Sequence, residues 1–107
     1  MGPPKSVKFQ GKEVLGQEVS IGALRHPNLR LRKPIPLRTE ENEGTVSVVW
    51  DEIQEFGHGD TLSEALYDFA ATVTELFLRL SEEGSSLSDD LLTVRGKLEE
   101  YIEFRPR

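Results

Sequence analysis

The stretch Gly57-His58-Gly59-Asp60-Thr61-Leu62-Ser63-Glu64-Ala65-Leu66 marks the point where a β-rich half of the chain gives way to a helical half. Asp60 and Thr61 are both N-cap residue types, and Glu64 stands where a side chain reaches back to the helix start, as in a capping box. Beyond it Leu62, Ala65, Leu66, Phe69, Val73, Leu76, Phe77 and Leu80 recur at three-four spacing, which predicts one long amphipathic helix. Gly84 stops it, at about Ser81 or Glu83. Asp68, Thr72, Glu75 and Arg79 share its opposite, solvated face.

Upstream, the period changes from three-four to two. Thr45 to Trp50 is β-branched and aromatic, with Val46, Val48 and Trp50 on one face, and it is expected to pair antiparallel with the segment before it. In that segment Leu29, Leu31, Ile35 and Leu37 hold one parity and Arg30, Arg32 and Arg38 the other, the pattern of a half-buried strand. Pro34 and Pro36 confine it to a sheet edge or to a start beyond them. Glu40-Glu41-Asn42-Glu43-Gly44 reads as the hairpin loop, and Ile53 to Phe56 as a further short strand ending at Gly57. Val7 and Phe9, then Val14, Val19 and Ile21, suggest a weak N-terminal hairpin after a frayed Gly2-Pro3-Pro4.

Downstream, Ser88-Asp89-Asp90 caps a second helix whose stripe is Leu91, Val94 or Arg95, Leu98 and Tyr101-Ile102. Strands followed by helices give an α+β fold: a small antiparallel sheet of three to five strands, covered on one face by the long helix, plus a C-terminal helix. At 107 residues the chain fits one domain, with an N-terminal β-rich extension over 1–28, a core over 29–83 and the C-terminal helix over 84–107.

The chain has no cysteine, which excludes disulfide staples, thiolate nucleophiles and cysteine-based metal sites. Its longest apolar runs are far shorter than the roughly 20 residues that span a bilayer, and no apolar leader follows Met1, so we expect a soluble, cytoplasmic protein. The net charge of −6 is unevenly placed: residues 1–39 hold eight Lys/Arg against two Glu, and residues 40–107 five against seventeen Asp/Glu. A basic edge and an acidic body follow, either neutralising each other within the fold or meeting different partners.

Three stretches together resemble the HicB-type antitoxins: Ile35-Pro36-Leu37 with an acidic loop ending in Gly44; Val46-Ser47-Val48-Val49-Trp50-Asp51-Glu52; and Gly57-His58-Gly59-Asp60-Thr61-Leu62-Ser63-Glu64-Ala65-Leu66. The likeness covers roughly residues 33–80. It implies a partial ribonuclease-H-like fold and a non-catalytic role, neutralising a small basic, ribonuclease-type toxin by direct binding. Where family members carry a proline-rich loop, this chain has Asp51 to Gly57 without proline, and residues 84–107 offer one acidic helix instead of an operator-binding module.

For such binding the candidate residues are Trp50, Asp51, Glu52, Glu55 and Phe56, acids beside aromatics that could anchor a basic partner. Trp50 shares parity with Val46 and Val48, so a place in the core is its other reading. The alternative function is a DNA-binding regulator using Arg30, Arg32, Lys33 and Arg38, and a protective basic sheet edge accounts for the same residues. A divalent-metal nuclease would gather carboxylates such as Asp51 around the ion. No cofactor is expected, since His58 and Asp60 alone make too few ligands for a metal. The hydroxyls, Ser85 and Ser86 among them, lack a neighbouring histidine base, so no enzyme activity is expected. A free sheet edge and a long apolar helix suggest a homodimer or tetramer.

Overall fold

The structure is a computed structural model and describes residues 18–83 and 86–106. Its elements in chain order are β1 (Glu18–Ile21), β2 (Leu29–Leu31), β3 (Ile35–Asn42), β4 (Thr45–Trp50), β5 (Glu55–Gly59), α1 (Leu62–Glu83), α2 (Asp89–Tyr101) and β6 (Ile102–Phe104). Four strands form one antiparallel sheet in the order β1-β3-β4-β5, and β2 pairs with β6 in a separate ribbon. The α+β architecture is as the order of elements predicts. The residues expected to form the first part of the N-terminal hairpin, Val7 to Val14, lie outside the described residues, while Val19 and Ile21 belong to β1.

The β3–β4 hairpin closes through Glu43 and Gly44, both at positive φ (54° and 85°), the two-residue turn whose twist matches its flanking strands. Glu40 and Glu41, expected in the loop, are therefore paired strand residues opposite Ser47 and Val46. Register then sorts the side chains. Ile35, Leu37, Thr39, Val48 and Trp50 face inward and are buried; Arg38, Glu40, Ser47, Val49, Phe56 and His58 face the other side.

Two expectations change. The single strand over residues 29–38 is two strands in different sheets. Pro34 cannot donate to a ladder and the chain bends at Arg32-Lys33, so β3 starts at Ile35. Pro36, against the expectation of an edge strand or a start beyond both prolines, lies inside β3 opposite Ser20, in a strand flanked by β1 and β4. The third hairpin strand begins at Glu55 and runs through Gly57 to Gly59, with Ile53 left in the preceding turn.

Helix α1 starts as a cap predicts: Glu64 N–H donates to Thr61 Oγ1 at 3.1 Å, and Asp60 N–H donates to Glu64 Oε1 at 2.9 Å. It lies over β5 and β4, burying Ala65, Phe69, Val73, Phe77 and Leu80. The close approach depends on glycine. A Cβ on Gly57 would stand 2.4 Å from Ala65 O and 2.6 Å from Phe69 Cβ, and one on Gly59 2.5 Å from Glu64 Cβ. Ser88 caps α2, accepting from Leu91 N–H at 3.3 Å. Leu98 and Tyr101 are the buried residues of α2, whereas Leu91, expected in the stripe, is exposed.

Residues 102–104 add a strand that the sequence did not suggest. β6 pairs Leu29 with Phe104 and Leu31 with Ile102, and Arg32 N–H donates to Tyr101 O at 2.7 Å. This ribbon ties the end of α2 to the entry of β3, so Leu29, Leu98 and Ile102 join Trp50, Phe69 and Val73 in one buried cluster. Among the described residues, no helix is long and apolar enough to cross a membrane.

Candidate functional site

The five residues proposed for partner binding surround the β4–β5 turn, and the structure gives them different fates. Trp50 is 1% exposed, packed edge-on between Phe69 and Tyr101 with ring centroids 6.3 and 5.0 Å away. It is a core residue, and the anchor reading is corrected. Its parity with Val46 and Val48 turns it under α1, where a large ring fills the space between sheet and helices.

Asp51 and Glu52 reach back into the fold. Arg38 holds Asp51 through two hydrogen bonds, Nε to Oδ2 at 3.0 Å and Nη2 to Oδ1 at 2.8 Å, and its third nitrogen pairs with Glu40. The hydrogen bonds from Arg38 hold the Asp51 carboxyl below the usual carboxylate range. Glu52 Oε1 accepts from Trp50 Nε1 at 3.1 Å and from Tyr101 Oη at 3.4 Å, while Lys97 Nζ approaches Oε2 at 3.4 Å. The Trp50 hydrogen bond is the main reason its carboxyl is also lowered. Glu52 thus clips the turn to α2, and Gln54, at φ 59°, closes the turn by donating to Asp51 O at 2.9 Å.

Glu55 and Phe56 remain. Partial burial pushes the Glu55 carboxyl up, opposed by a hydrogen bond from Phe56 N–H. Phe56 is 43% exposed and stacks on His58, with centroids 6.1 Å apart and the rings 10° from parallel. His58 Nδ1 lies 2.8 Å from Ser47 Oγ across the β4–β5 pair. The outer sheet face therefore offers an aromatic pair, a hydroxyl and imidazole, and the carboxylate of Glu40, whereas Glu55 stands opposite Trp50 on the other parity.

Ser47 beside His58 overturns the expectation that no hydroxyl has a histidine neighbour; the signal was their shared outward parity across a hairpin. The pair stands on the outer sheet face and does not line the groove on the other side of the fold. That groove, about 1120 Å³, runs between residues 20–26 and α1, lined by Leu24, Leu66, Tyr67, Ala70, Thr74 and Leu78. Sequence periodicity gave no sign of it, because it depends on how far the edge of α1 stands from the loop after β1.

The basic cluster is dispersed. Arg30 on β2 and Arg32 just beyond it pair with Glu103 at 2.5 and 3.6 Å, Lys33 lies 4.5 Å over the Tyr101 ring, and Arg38 is on the other sheet, held by Asp51 and Glu40. Three arginines sharing one strand face, as expected from parity, are not found, because the bend at Arg32-Lys33 separates them. Among the described residues no three His, Asp or Glu side chains converge as a metal site. The grounds for self-association also change: α1 spends its apolar face on its own sheet, leaving Tyr67, 70% exposed at the groove, as its most exposed large apolar side chain. Compared with family models, curated proteins and solved structures, the chain finds no match in any of the three.

Proposed function

We propose that this chain is a non-catalytic protein-binding module, similar to the HicB-type antitoxins, that neutralises a small basic, ribonuclease-type protein by direct binding. The observation that carries the reading is the exposed Phe56 ring, stacked on His58 on the same outer sheet face as Glu40 and next in sequence to Glu55. An exposed aromatic among carboxylates suits a cationic surface: the ring supplies desolvated contact area and attracts guanidinium groups, and the acids steer the approach. The excess of acid over base after Thr39 works in the same direction. Ser47 and His58 fit this surface better than a hydrolytic site, which needs a third group to orient the base and donors for an oxyanion, gathered where water is excluded. Pairing of Arg30, Arg32 and Arg38 with carboxylates leaves the DNA-binding alternative less support.

The test is purification of the tagged chain from its native host beside a Phe56→Ala variant, followed by an RNA-cleavage assay on any small basic partner. The expected result is a partner held by the wild type and reduced at least tenfold by the variant, whose RNA cleavage stops when wild-type chain is added. A partner that cleaves RNA regardless of the added chain overturns the proposal. Salt-dependent DNA retention, lost in an Arg30→Ala, Arg32→Ala variant, would put the DNA-binding regulator in its place.

A further inference from the structure

Among the described residues, strand β5 is the last strand of its sheet, paired with β4 along one side. In an antiparallel ladder, alternate residues turn their backbone groups toward the neighbour and away from it. The N–H of His58, which stands opposite Ser47, does not go to β4. It points to the open edge, and so, by the alternation, does that of Phe56. A sheet edge with such unpaired donors is a ready template for another strand.

The His58 donor is already taken. Asp68 reaches down from α1, and its Oδ2 accepts from His58 N–H at 2.9 Å. The N–H of Asp60, two residues further on, goes to Glu64 at 2.9 Å. Carboxylates from α1 thus occupy the backbone donors of 58 and 60, at the end of the edge and just out of the strand. Asp68 comes within reach because Gly57 and Gly59 let α1 settle directly on β5, placing the position just before Phe69 over the strand's margin.

We propose that Asp68 closes the β5 edge against strand addition, and that the strand it excludes is β5 of a second copy of this chain. The register points to that occupant. Two copies of β5 related by a two-fold axis at Gly57 would set Phe56 of each opposite His58 of the other, pairing the two outward-facing residues of each strand and joining two four-stranded sheets into one. The bonds that build this pairing are donated by the Phe56 and His58 amides, and Asp68 occupies the second of them in each copy. Capping with a charged acceptor acts in two ways, since an approaching copy meets a satisfied donor and also the like charges of Glu64 and Asp68. The device is independent of the toxin-binding proposal, which uses the Phe56 side chain and not the His58 backbone.

The experiment is light scattering on the full chain across a concentration series, with amide exchange at residues 56 and 58 followed by NMR. Two variants separate the effects: Asp68→Ala removes the acceptor, and Asp68→Asn keeps an acceptor oxygen but no charge. The alanine variant is expected to double its mass relative to the wild type as concentration rises, with the Phe56 and His58 amides becoming protected in the associated form. The amide-bearing variant is expected to keep the wild-type mass. An alanine variant with wild-type circular dichroism and wild-type mass at every concentration overturns the proposal, as does equal association of both variants, which would assign the barrier to charge alone. The same Asp68→Ala variant supplies a second readout in dilute solution, where exchange of the His58 amide must accelerate; unchanged exchange also overturns the proposal.

Discussion

Arg38 and Asp51 form a two-pronged ion pair at 3.0 and 2.8 Å, joining β3 to the turn that follows β4. Arg38 also takes Glu40, so one guanidinium organises two carboxylates at the outer sheet face. The consequence is a specific pH response. Asp51 titrates below its unfolded value, held down first by its hydrogen bonds to Arg38, so its contribution to stability is present above the ordinary carboxylate range and is lost as pH falls through the lowered value. Asp51→Asn is therefore expected to lower Tm at pH 7 and to show a shrinking deficit under acid, until the two proteins melt together. A deficit that stays constant with pH would remove the ion pair as its cause. Both groups are solvent-facing, so the shift is expected to be small and reduced by salt.

The buried Trp50 makes a larger prediction. It is the sole tryptophan, sits between Phe69 and Tyr101, and gives its Nε1 hydrogen to Glu52. Trp50→Ala leaves a cavity at the junction of sheet, α1 and α2 and is expected to cost about 3–5 kcal/mol in urea unfolding. That is a large part of the roughly 5–15 kcal/mol that holds a small domain together. Wild-type emission is expected to be blue-shifted and to move to longer wavelength on unfolding. Red-shifted emission from the native protein would contradict the burial.

Helix α1 was legible because its three-four pattern persists over six turns and its start carries a cap; the β3–β4 hairpin was legible because β-branched residues follow an acidic turn ending in Gly44. The β2–β6 ribbon was not. Two three-residue strands at opposite ends of the chain have no periodicity to show, and what joins them is long-range pairing. The same limit hid the partners of the basic residues, since Glu103 meets Arg30 and Arg32 only once that ribbon forms. Asp68 was read correctly as lying off the apolar stripe, yet its role at the β5 edge follows from where Gly57 and Gly59 seat the helix, a tertiary fact. For the candidate site, the acids and aromatics near the β4–β5 turn were recognisable by type, but parity alone left the place of Trp50 open between core and surface.

Thr74 offers a stabilising substitution. Among the described residues its Oγ1 is the buried side-chain polar atom without a hydrogen-bond partner, on the side of α1 that lines the groove. An unsatisfied buried hydroxyl costs about 1–3 kcal/mol relative to one that keeps a partner. Val has nearly the same shape and a similar helix propensity, so Thr74→Val is expected to raise stability by about 1 kcal/mol. A lower urea midpoint for the variant would mean that the hydroxyl has a partner, for instance an ordered water.

Two glycines give opposite predictions for the same substitution. A Cβ at Gly57 would meet the Ala65 carbonyl and the Phe69 nitrogen at 2.4 and 2.6 Å, and these atoms belong to the helix backbone, which cannot step aside as a side-chain tip can. Gly57→Ala must lift α1 from β5, and the expected loss is at the upper end of the roughly 1–3 kcal/mol typical of overpacking, or beyond it. Gly96, in the interior of α2, has open space where its Cβ would go. Gly96→Ala removes backbone freedom from the unfolded chain with no new contact to accommodate, and is expected to gain about 0.5–1 kcal/mol. The comparison reads the helix seat directly: two alanines that shift the urea midpoint equally would show that α1 does not press on β5 at Gly57. The seat that excludes a methyl group there is also what brings Asp68 to His58, so Gly57→Ala should accelerate exchange of the His58 amide, while Gly96→Ala should leave it unchanged.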